Sequence, residues 1–538
     1  MLLHEILVDA AREVPDRTAL IVPTHTPRTH TGHTEHTAAR PPAAPHSAAR
    51  HPAAPQPAAQ HTVWTFAELA AHSRALAATV ARRTSPGARV GILAHNRAEY
   101  VAAYYGVPWA GRVLVPLNPR LHPREWADQL ARSGAELLLG DAEPMARLGW
   151  TGGPSLELGE AVTESAHGEP EFTPATDETA LTWLLFTSGT TGRPKGVRLT
   201  HRSLTTSMRT SLACRPVDPD AVVLTPFPLA HVAGYQVPAH HLMRRPVVVL
   251  HRYEPAELAQ VIREFDVTNL SLAPTMIDAL LDHVHEGDGL RERIRSISYG
   301  ASPITPELIR RVDRMLGCAL GQGYGMTELS GNAVFLSAAD HRPELYAAAG
   351  RPGPGVEIRI VDDAGRPLPT GATGEISVRS EQVADGYWQV DTGEFAAGWF
   401  RTGDLGRFDA DGYLYVLDRK KDVIITGGEN VSAREVEAVL RTHPDVRDVA
   451  VVGEPDTRWG ERVVAVVVPT PDRSVDPDAL VTLCRAHLAG FKVPRRVVFT
   501  DALPVTGTGK VSKPALREQL AEAQPSSRNT PNHLAEHA

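Results

Sequence analysis

A glycine- and threonine-rich segment, residues 184–196, carries the strongest chemical signal in the sequence. Its apolar beginning predicts a strand that runs directly into the loop. Glycines let a backbone expose successive N–H groups as an anion-binding nest, and hydroxyl groups and a lysine add further donors and charge. A Walker A loop is excluded, because only two residues separate Gly189 from Gly192 and Lys195 precedes a glycine. The segment is predicted to hold a di- or triphosphate through Thr187, Ser188, Gly189, Thr190, Thr191, Gly192 and Lys195.

Two later segments could bind the rest of a nucleotide. The Tyr324 ring can stack on a purine, and Thr327 and Glu328 offer the hard oxygen ligands that Mg²⁺ prefers. Asp404 supplies a carboxylate that could accept hydrogen bonds from ribose hydroxyls. Gly300 ends a predicted strand, which is where α/β sheets bind ligands. The alternatives are a core aromatic for Tyr324 and a turn residue for Asp404.

Lys510 lies in a threonine- and glycine-rich segment near the carboxyl end of the sequence. A lysine on a mobile loop could stabilise a transition state in which two anions meet. Lys513, three residues further on, is predicted to be a solvated surface lysine. His231 follows a predicted strand, and a structural histidine is its alternative interpretation.

These segments resemble, in order, the motifs of the adenylate-forming superfamily, which includes acyl-CoA synthetases, luciferases and peptide-synthetase adenylation domains. The resemblance covers the whole chain except an insertion and the tail. The chain is identified as similar to AMP-dependent acyl-CoA synthetases of the fatty acid–CoA ligase type. The matching segments are the phosphate loop (184–196), the adenine and magnesium segment (323–328), the ribose segment (400–404), the hinge (418–422), the pantetheine-tunnel loop (427–430) and the catalytic-lysine loop (504–510).

The resemblance implies a role for each matching residue. Lys510, Thr187, Glu328 and His231 would be catalytic, with Lys510 bridging the attacking carboxylate and the α-phosphate. Thr327 and Glu328 would bind magnesium. The remaining cofactor-binding residues would be Gly300, Ala301 and Ser302 beside the adenine, Tyr324, Gly325 and Met326 in the adenine segment, Asp404 at the ribose, Arg419 and Lys421 in the hinge, and Gly427 and Gly428 along the pantetheine arm.

The implied reaction has two steps and uses ATP, Mg²⁺ and coenzyme A. A carboxylate attacks the α-phosphate to give an acyl-adenylate and pyrophosphate, and a thiol then attacks the adenylate after the C-terminal unit rotates about Lys421. A carrier protein acting in trans is the alternative thiol acceptor. The resemblance is also compatible with a luciferase-like oxygenase, which shares the first step, and with a catalytically silent ATP- or acyl-binding regulator.

The acid itself is predicted from the walls of the expected acyl pocket. These walls are residues near His231, 273–275, Gly300 and 329–334, which are mostly apolar and small. Because no Arg or Lys is evident there to bind a second carboxylate, a medium- or long-chain fatty or similar apolar acid is predicted. An aryl acid is the alternative.

The elements that position these residues alternate between helix and strand. Helices at 66–84, 98–109 and 125–133 are interleaved with strands at 89–93, 113–117 and 136–140, and further strands follow residue 220. Such alternation predicts parallel sheets covered by helices. The predicted fold class is α/β: a large N-terminal domain of two α/β sheets plus a small β unit, followed by a small mobile α+β C-terminal domain.

The predicted boundaries are 1–417 for the adenylation domain, 418–522 for the mobile domain and 523–538 for a disordered tail. Residues 24–62, rich in Pro, Ala, His and Thr, are predicted to be a disordered insertion in a hairpin loop, not a metal site. With 55 basic and 63 acidic residues, the chain has no basic excess for nucleic acid. The sequence shows no run of apolar residues long enough for a transmembrane segment. Its three scattered cysteines favour a cytoplasmic location. The oligomeric state is not evident from the sequence.

Overall fold

The structure is a computed structural model that describes residues 1–24, 61–163, 172–187, 194–300, 304–420, 422–426, 429–456, 459–506 and 510–523. Short 3-10 helices lie at Val232–Tyr235, Thr327–Leu329, Pro343–Leu345 and Gly490–Lys492. The α-helices are α1 (Leu3–Glu13), α2 (Phe66–Arg83), α3 (Ala98–Trp109), α4 (Pro123–Ser133), α5 (Ala142–Leu148), α6 (Leu158–Thr163), α7 (His201–Cys214), α8 (Gln236–Leu242), α9 (Pro255–Glu264), α10 (Pro274–Leu281), α11 (Leu290–Arg293), α12 (Pro306–Met315), α13 (Ala433–Leu440), α14 (Pro477–His487) and α15 (Lys513–Glu522).

The strands form four sheets. In chain order they are β1 (Thr18–Val22), β2 (Thr62–Thr65), β3 (Arg89–Leu93), β4 (Val113–Leu117), β5 (Ala135–Gly140), β6 (Ser155–Glu157), β7 (Leu181–Thr187), β8 (Lys195–Thr200), β9 (Val223–Thr225), β10 (Val247–Val249), β11 (Asn269–Leu272), β12 (Ser296–Gly300), β13 (Ala319–Met326), β14 (Gly331–Leu336), β15 (Arg351–Pro352), β16 (Glu357–Val361), β17 (Gly374–Arg379), β18 (Phe395–Ala396), β19 (Trp399–Phe408), β20 (Leu414–Arg419), β21 (Ile424–Thr426), β22 (Glu429–Val431), β23 (Val446–Asp456), β24 (Gly460–Pro469) and β25 (Arg496–Phe499).

The first sheet has the strand order β6-β5-β3-β4-β7-β8. Its strands are parallel except for β8, which pairs antiparallel with β7. Every residue of β4 is buried, as is typical of a central parallel strand covered on both faces. The helix α2 that precedes β3 begins with a capping box, in which Thr65 Oγ1 accepts from the Glu68 N–H at 3.2 Å and Glu68 accepts from the Thr65 N–H at 2.8 Å.

The second sheet has the order β15-β14-β13-β12-β11-β9-β10-β1-β2. Strands β13 to β1 along this order run parallel, and antiparallel strands close both edges. One apolar core joins α1–α3 to both large sheets, so these helices lie between the sheets. A second core places α9, α10 and α12 on the outer face of the second sheet. The predicted pair of helix-covered parallel sheets is confirmed.

The hairpin that was predicted to carry the insertion is β1–β2. These strands pair antiparallel, with Leu20 opposite Trp64. Strand β2 begins at Thr62, so the last residue assigned to the insertion belongs to the strand. The predicted disorder of residues 25–60 lies outside the described residues. At the base of the loop, His61 Nε2 contacts Glu264 Oε1 at 2.7 Å and ties the hairpin to α9.

Two smaller sheets follow. The first, β16-β17-β19-β18 with β20 beside β19, is antiparallel and packs its apolar face on Leu329, Ala333 and Val334. The second, β22-β21-β24-β23 with β25 beside β24, is covered on one face by α13 and α14 and on the other by α15. The predicted small β unit and α+β C-terminal domain are confirmed. No helix within the described ranges has the length and apolar composition of a membrane span.

Candidate active site

The carboxyl ends of strands β7, β12 and β13 bring the first candidate residues to the edges of the two large sheets. Thr187 ends β7 and lies opposite Lys195, the first residue of β8. Gly300 ends β12 and lies opposite Gly323 of β13. A Cβ atom on Gly300 would be 2.5 Å from the Gly323 carbonyl oxygen, so only glycine permits this close approach of the strands. Ligands bind at such strand ends in α/β sheets.

Asp404 and Tyr324, which are 80 residues apart in the chain, form one corner of the site. The Tyr324 hydroxyl donates to Asp404 Oδ2 at 2.8 Å, and Arg419 Nε lies 2.9 Å from Oδ1 as an ion pair. Burial, followed by the Asp404 charge, holds the pKa of Tyr324 well above its usual range. Asp404 is only 3% exposed, and its Oδ1 has no hydrogen-bond partner among the described residues. Oδ1, which makes the ion pair with Arg419 but no hydrogen bond, could accept from a ribose hydroxyl.

Glu328 lies at the start of the 3-10 helix after β13, beside Tyr387. The Tyr387 hydroxyl donates to Glu328 Oε1 at 3.1 Å. Burial raises the pKa of Glu328, while this hydrogen bond and the positive charges of Arg419 and Lys195 act in the opposite direction. No cluster of three His, Cys, Asp or Glu side chains forms a metal cage in the described part of the chain. The oxygen donors of Thr327 and Glu328 fit Mg²⁺ by their chemistry, because this ion takes one or two carboxylates and completes its shell with phosphate oxygens and water.

Lys195 is held by two residues that the sequence did not reveal. Its side chain is buried, its Nζ lies 3.0 Å from Glu394 Oε1, and it stands 4.7 Å from the centre of the Tyr387 ring. Tyr387 thus touches both Lys195 and Glu328 and fixes the distance between a cation and a carboxylate. Burial raises the pKa of Glu394, but the hydrogen bonds from Thr392 and Lys195 outweigh it and leave the pKa lowered.

Lys510 reaches the same region from the C-terminal domain. It closes a turn in which the Thr506 N–H donates to the Lys510 carbonyl at 2.7 Å, and Val505 pairs with Val511. Desolvation by the surrounding protein lowers the pKa of Lys510, although the side chain remains exposed to the cleft. The charges that act on it next are Arg419, which lowers the pKa, and Asp404, which raises it. The charges of Asp404 in β19 and Arg419 in β20 therefore both act on Lys510 in the C-terminal turn.

His231 lies at the beginning of the 3-10 helix after β9. Its Nε2 is buried and has no hydrogen-bond partner among the described residues. Burial lowers the pKa of His231 to about 4, and the positive charges of Arg120 and Lys510 lower it further. The imidazole is therefore neutral near pH 7, and the charge of Lys510 acts on it.

The hinge segment connects the two domains through Asp418. This buried carboxylate accepts from the Ser432 hydroxyl at 2.8 Å and from the Arg434 N–H at 3.3 Å, at the start of α13. Arg419, the next residue, pairs with Asp404 instead. In the segment predicted to be the hinge, the side chain of Asp418 thus contacts the start of α13, while that of Arg419 contacts Asp404.

Other candidate residues are placed differently or fall outside the described part. Lys513, predicted to be solvated, is 14% exposed and its Nζ lies 2.9 Å from Glu437, so that prediction is wrong. Leu329, Ala333 and Val334 join the core against the third sheet, so they do not form a free acyl wall. The predicted site residues outside the described ranges are Ser188, Gly189, Thr190, Thr191, Gly192, Ala301, Ser302, Lys421, Gly427 and Gly428.

The acyl side contains a cation that the sequence did not reveal. Arg215, just after α7, reaches Gly323: a Cβ atom on Gly323 would lie 2.0 Å from Arg215 Nη2. This cation thus stands beside the strand that pairs with Gly300 of the predicted acyl wall. No local signal marks Arg215, since it lies 108 positions before Gly323 and only the fold brings them together.

Comparison with known proteins agrees with this arrangement. The AMP-binding enzyme family matches residues 44–388, and the AMP-binding enzyme C-terminal domain matches residues 435–510. The chain is 37% identical to a feruloyl-CoA synthase of Amycolatopsis over 470 residues, which is 85% of this chain and 94% of that protein. It is 35% identical to the fatty acid–[acyl-carrier-protein] ligase ScoC of Streptomyces coeruleorubidus over 476 residues, 85% and 91% of the two chains.

Among solved structures, the chain is similar to O-succinylbenzoate coenzyme A synthetase (MenE) from Bacillus subtilis in complex with ATP and a magnesium ion. The TM-score is 0.80 at 30% identity, covering 96% of this chain and 99% of that chain. The chain therefore belongs to the AMP-binding enzyme family, and the predicted class, an AMP-forming acyl-CoA synthetase, is confirmed. The predicted cofactors ATP, Mg²⁺ and coenzyme A are supported in the same way.

Proposed function

We propose that this chain is an ATP-dependent carboxylate–CoA ligase that forms an acyl-adenylate and then an acyl-CoA thioester. The observation that carries the proposal is the position of Lys510. A lysine of the C-terminal domain stands within the electrostatic reach of Asp404 and Glu328, two carboxylates of the N-terminal domain. This juxtaposition supports a nucleotide site that is completed only when the two domains meet.

In the first step, a carboxylate oxygen of the acid attacks the α-phosphorus of ATP. The bond from that phosphorus to the bridging oxygen breaks, and pyrophosphate leaves with the electron pair. Lys510 would stabilise the charge that builds up between the two anions, since a preorganised cation in a partly desolvated cleft acts more strongly than one in water. His231, neutral near pH 7, would orient the acid without adding a second charge.

Nucleotide binding would be divided among the residues described above. Asp404 would accept from the ribose, Tyr324 would lie beside the base, and Lys195 with the loop after Thr187 would bind the phosphates. Thr327 and Glu328 would hold Mg²⁺, which neutralises phosphate charge when bound. Burial raises the pKa of Glu328, and a bound cation would stabilise the charged form of this carboxylate.

In the second step, the thiol sulfur attacks the acyl carbon, the bond from that carbon to the phosphate oxygen breaks, and AMP leaves. The thiol proton passes to solvent. For the thiol to enter, Lys510 would withdraw by rotation of the C-terminal domain about the hinge at 418–422. Hinge closure of this kind needs only a few residues to absorb the change.

Coenzyme A is the proposed acceptor, and a carrier protein in trans is the second candidate. The similarity to a feruloyl-CoA synthase favours the first, and the similarity to ScoC favours the second. The predicted preference for a medium- or long-chain fatty or similar apolar acid remains a prediction, as does its aryl-acid alternative.

The test is acid-dependent pyrophosphate release, measured with and without coenzyme A across straight-chain acids, alkanedioates and aryl acids. Release with one acid class and the matching acyl-CoA by mass spectrometry is the expected result. Release without any CoA product would leave the adenylate step in place and favour the carrier protein. Absence of release with every acid, in a protein that still binds ATP, would contradict the proposal and favour the silent regulator.

A further inference from the structure

Arg215 is half-buried, its Nε and Nη2 atoms are buried, and none of the described carboxylates acts on its charge. Its Nε and Nη2 atoms have no hydrogen-bond partner among the described residues. Burial lowers the pKa of Arg215, and the ionisable groups that act on it next are Tyr235, Cys214 and Tyr299, none of which is a carboxylate. An arginine stays protonated in proteins, so the charge persists. The guanidinium carbon of Arg215 lies over the face of the Phe335 ring, 5.0 Å from the ring centre.

A polar cavity adjoins this cation. It has a volume of about 50 Å³ and lies between α7, α8 and strands β9, β11 and β12. Ser211, Tyr235, Gln236, Ser271 and Ser298 line it together with Arg215. This volume corresponds to one or two water molecules, which occupy roughly 30 Å³ each in the liquid. Apolar side chains, among them Leu212, Val223 and Leu270, line the cavity beside the polar groups.

The hydroxyl groups around the cavity are already oriented. Tyr235 Oη lies 3.0 Å from Ser211 Oγ, and Asn332 Nδ2 donates to Tyr235 Oη at 3.3 Å. Asn332 also faces Gly323, so it links the cavity wall to the strand that carries the adenine segment. The arrangement presents donors from Arg215 on one side and hydroxyl groups on the other.

The cavity lies toward the beginnings of strands β11 and β12, whereas Gly300 ends β12. Ser271 and Ser298 pair with each other inside β11 and β12, and the lining continues to Asn269 and Ser296 at the beginnings of these strands. Gly300, at the site edge, ends the same strand β12. A linear acid whose carboxylate meets His231 and Lys510 would therefore extend its other end toward Arg215.

We propose that Arg215 is a specificity-determining residue that binds an oxygen acceptor at the far end of the acid. On this basis the enzyme selects acids that end in a carboxylate or a phenolic oxygen and rejects acids that end in a methyl or hydrogen. The inference rests on the proposed function, because it concerns the substrate of the same site. The physical reason is that a site built to hydrogen-bond one group strongly rejects an analogue that leaves its buried donors unpaired.

The experiment compares two matched pairs of acids, octanedioate with octanoate and 4-hydroxycinnamate with cinnamate. The readout is kcat/KM for acid-dependent pyrophosphate release. We expect the wild type to prefer the oxygen-bearing member of at least one pair by about a hundredfold or more. The pair that shows the preference distinguishes a second carboxylate from a phenolic oxygen.

Two variants assign the preference to the guanidinium. Arg215→Met keeps the length of the side chain without its charge and is expected to reduce the preference at least tenfold while turnover of the unsubstituted acid is kept or rises. Arg215→Lys keeps the charge, is expected to retain part of the preference, and serves if the methionine variant does not fold. Arg209→Met removes an exposed arginine of the same helix and is the matched control, expected to behave as wild type.

Several results would overturn the inference. Wild-type turnover of octanoate and cinnamate that equals or exceeds that of their partners would contradict it, and so would an equal loss for both members of a pair in Arg215→Met. These outcomes leave the ligase activity standing. Absence of release with all acids would contradict the proposed function and this inference with it.

Discussion

Two charged side chains on opposite sides of the predicted adenine segment differ in whether an opposite charge lies beside them. On the nucleotide side, buried Asp404 is matched by Arg419 at 2.9 Å and by the Tyr324 hydroxyl at 2.8 Å. On the acyl side, Arg215 has no counter-charge among the described residues. A compensated carboxylate is ready for a neutral partner such as a ribose hydroxyl. An uncompensated cation costs stability until a ligand supplies the missing acceptor.

The largest expected effect is the pH dependence of stability caused by buried histidines. Unlike Arg215, a buried histidine can become neutral by losing its proton. Burial lowers the pKa of His4 to about 4, and of His201 and His241 to about 3. The unfolded chain protonates these imidazoles near pH 6.5, so it binds more protons than the folded state below that pH. The free energy of unfolding should therefore fall as the pH drops from 6.5 toward 4, by up to about 1.4 kcal/mol per pH unit for each histidine.

Urea unfolding at pH 7, 6 and 5 measures this dependence. His283, which lies outside this buried group, gives the control variant His283→Gln, whose pH dependence should match that of the wild type. A free energy of unfolding that stays constant from pH 7 to pH 5 would show that the buried histidines do not remain neutral.

Removing the charge of Asp404 should have the next largest effect. Asp404→Asn weakens the proposed ribose contact and leaves Arg419 without its partner. Hydrogen bonds to charged groups contribute about 1.5–3 kcal/mol, so KM for ATP should rise about ten- to a hundredfold. Steady-state kinetics measures the change, with Asp411→Asn in the turn between β19 and β20 as the control. An unchanged KM for ATP would remove Asp404 from the nucleotide site.

Replacing Glu394 should change KM for ATP by a smaller factor than replacing Asp404, and should lower it. Because it holds Lys195 at 3.0 Å, it competes with phosphate oxygens for that cation. Glu394→Gln should lower KM for ATP by roughly fivefold, as expected for a partly exposed ion pair worth about 1 kcal/mol. The exposed Glu381→Gln is the control. A tenfold rise in KM would show instead that Glu394 positions Lys195 for the phosphates.

The smallest expected effect is the change in Tm when Arg215 is replaced. Replacing a buried unpaired charge by an apolar side chain of similar length is often neutral or stabilising. Arg215→Met should therefore leave Tm unchanged or raise it by a few degrees, whereas Asp404→Asn should lower it. Thermal unfolding of both variants, with Arg209→Met alongside, gives the comparison. A clear fall in Tm for Arg215→Met would mean that the guanidinium stabilises the fold without a ligand.

The sequence predicted the elements of the two large sheets well because their signals are local. Strands 89–93 and 113–117 have the predicted limits. Strand β9 begins at Val223, because Val222 precedes its ladder and bonds Thr268 instead. The α2 capping box and the hairpin of β1 and β2 likewise follow from short-range patterns.

The site was predictable only where function depends on contiguous residues. Glu328, Asp404 and Lys510 stand in segments whose glycine and threonine content marks them, and the structure brings them together. Glu394, Tyr387 and Arg215 have no such neighbours. Tyr387 touches Lys195 and Glu328 at once, and Arg215 lies against Gly323, so both placements depend on contacts that only the folded chain creates.

The central claim is that Lys510 completes the adenylate-forming site and is absent from the thioester step. Lys510→Ala allows both halves to be measured, as exchange of labelled pyrophosphate into ATP and as acyl-CoA formation from supplied acyl-adenylate. Lys513→Gln is the matched control for stability of the C-terminal domain. The account predicts at least a hundredfold loss of exchange with thioester formation within a few-fold of wild type. Equal loss of both steps, or unchanged exchange, would contradict it.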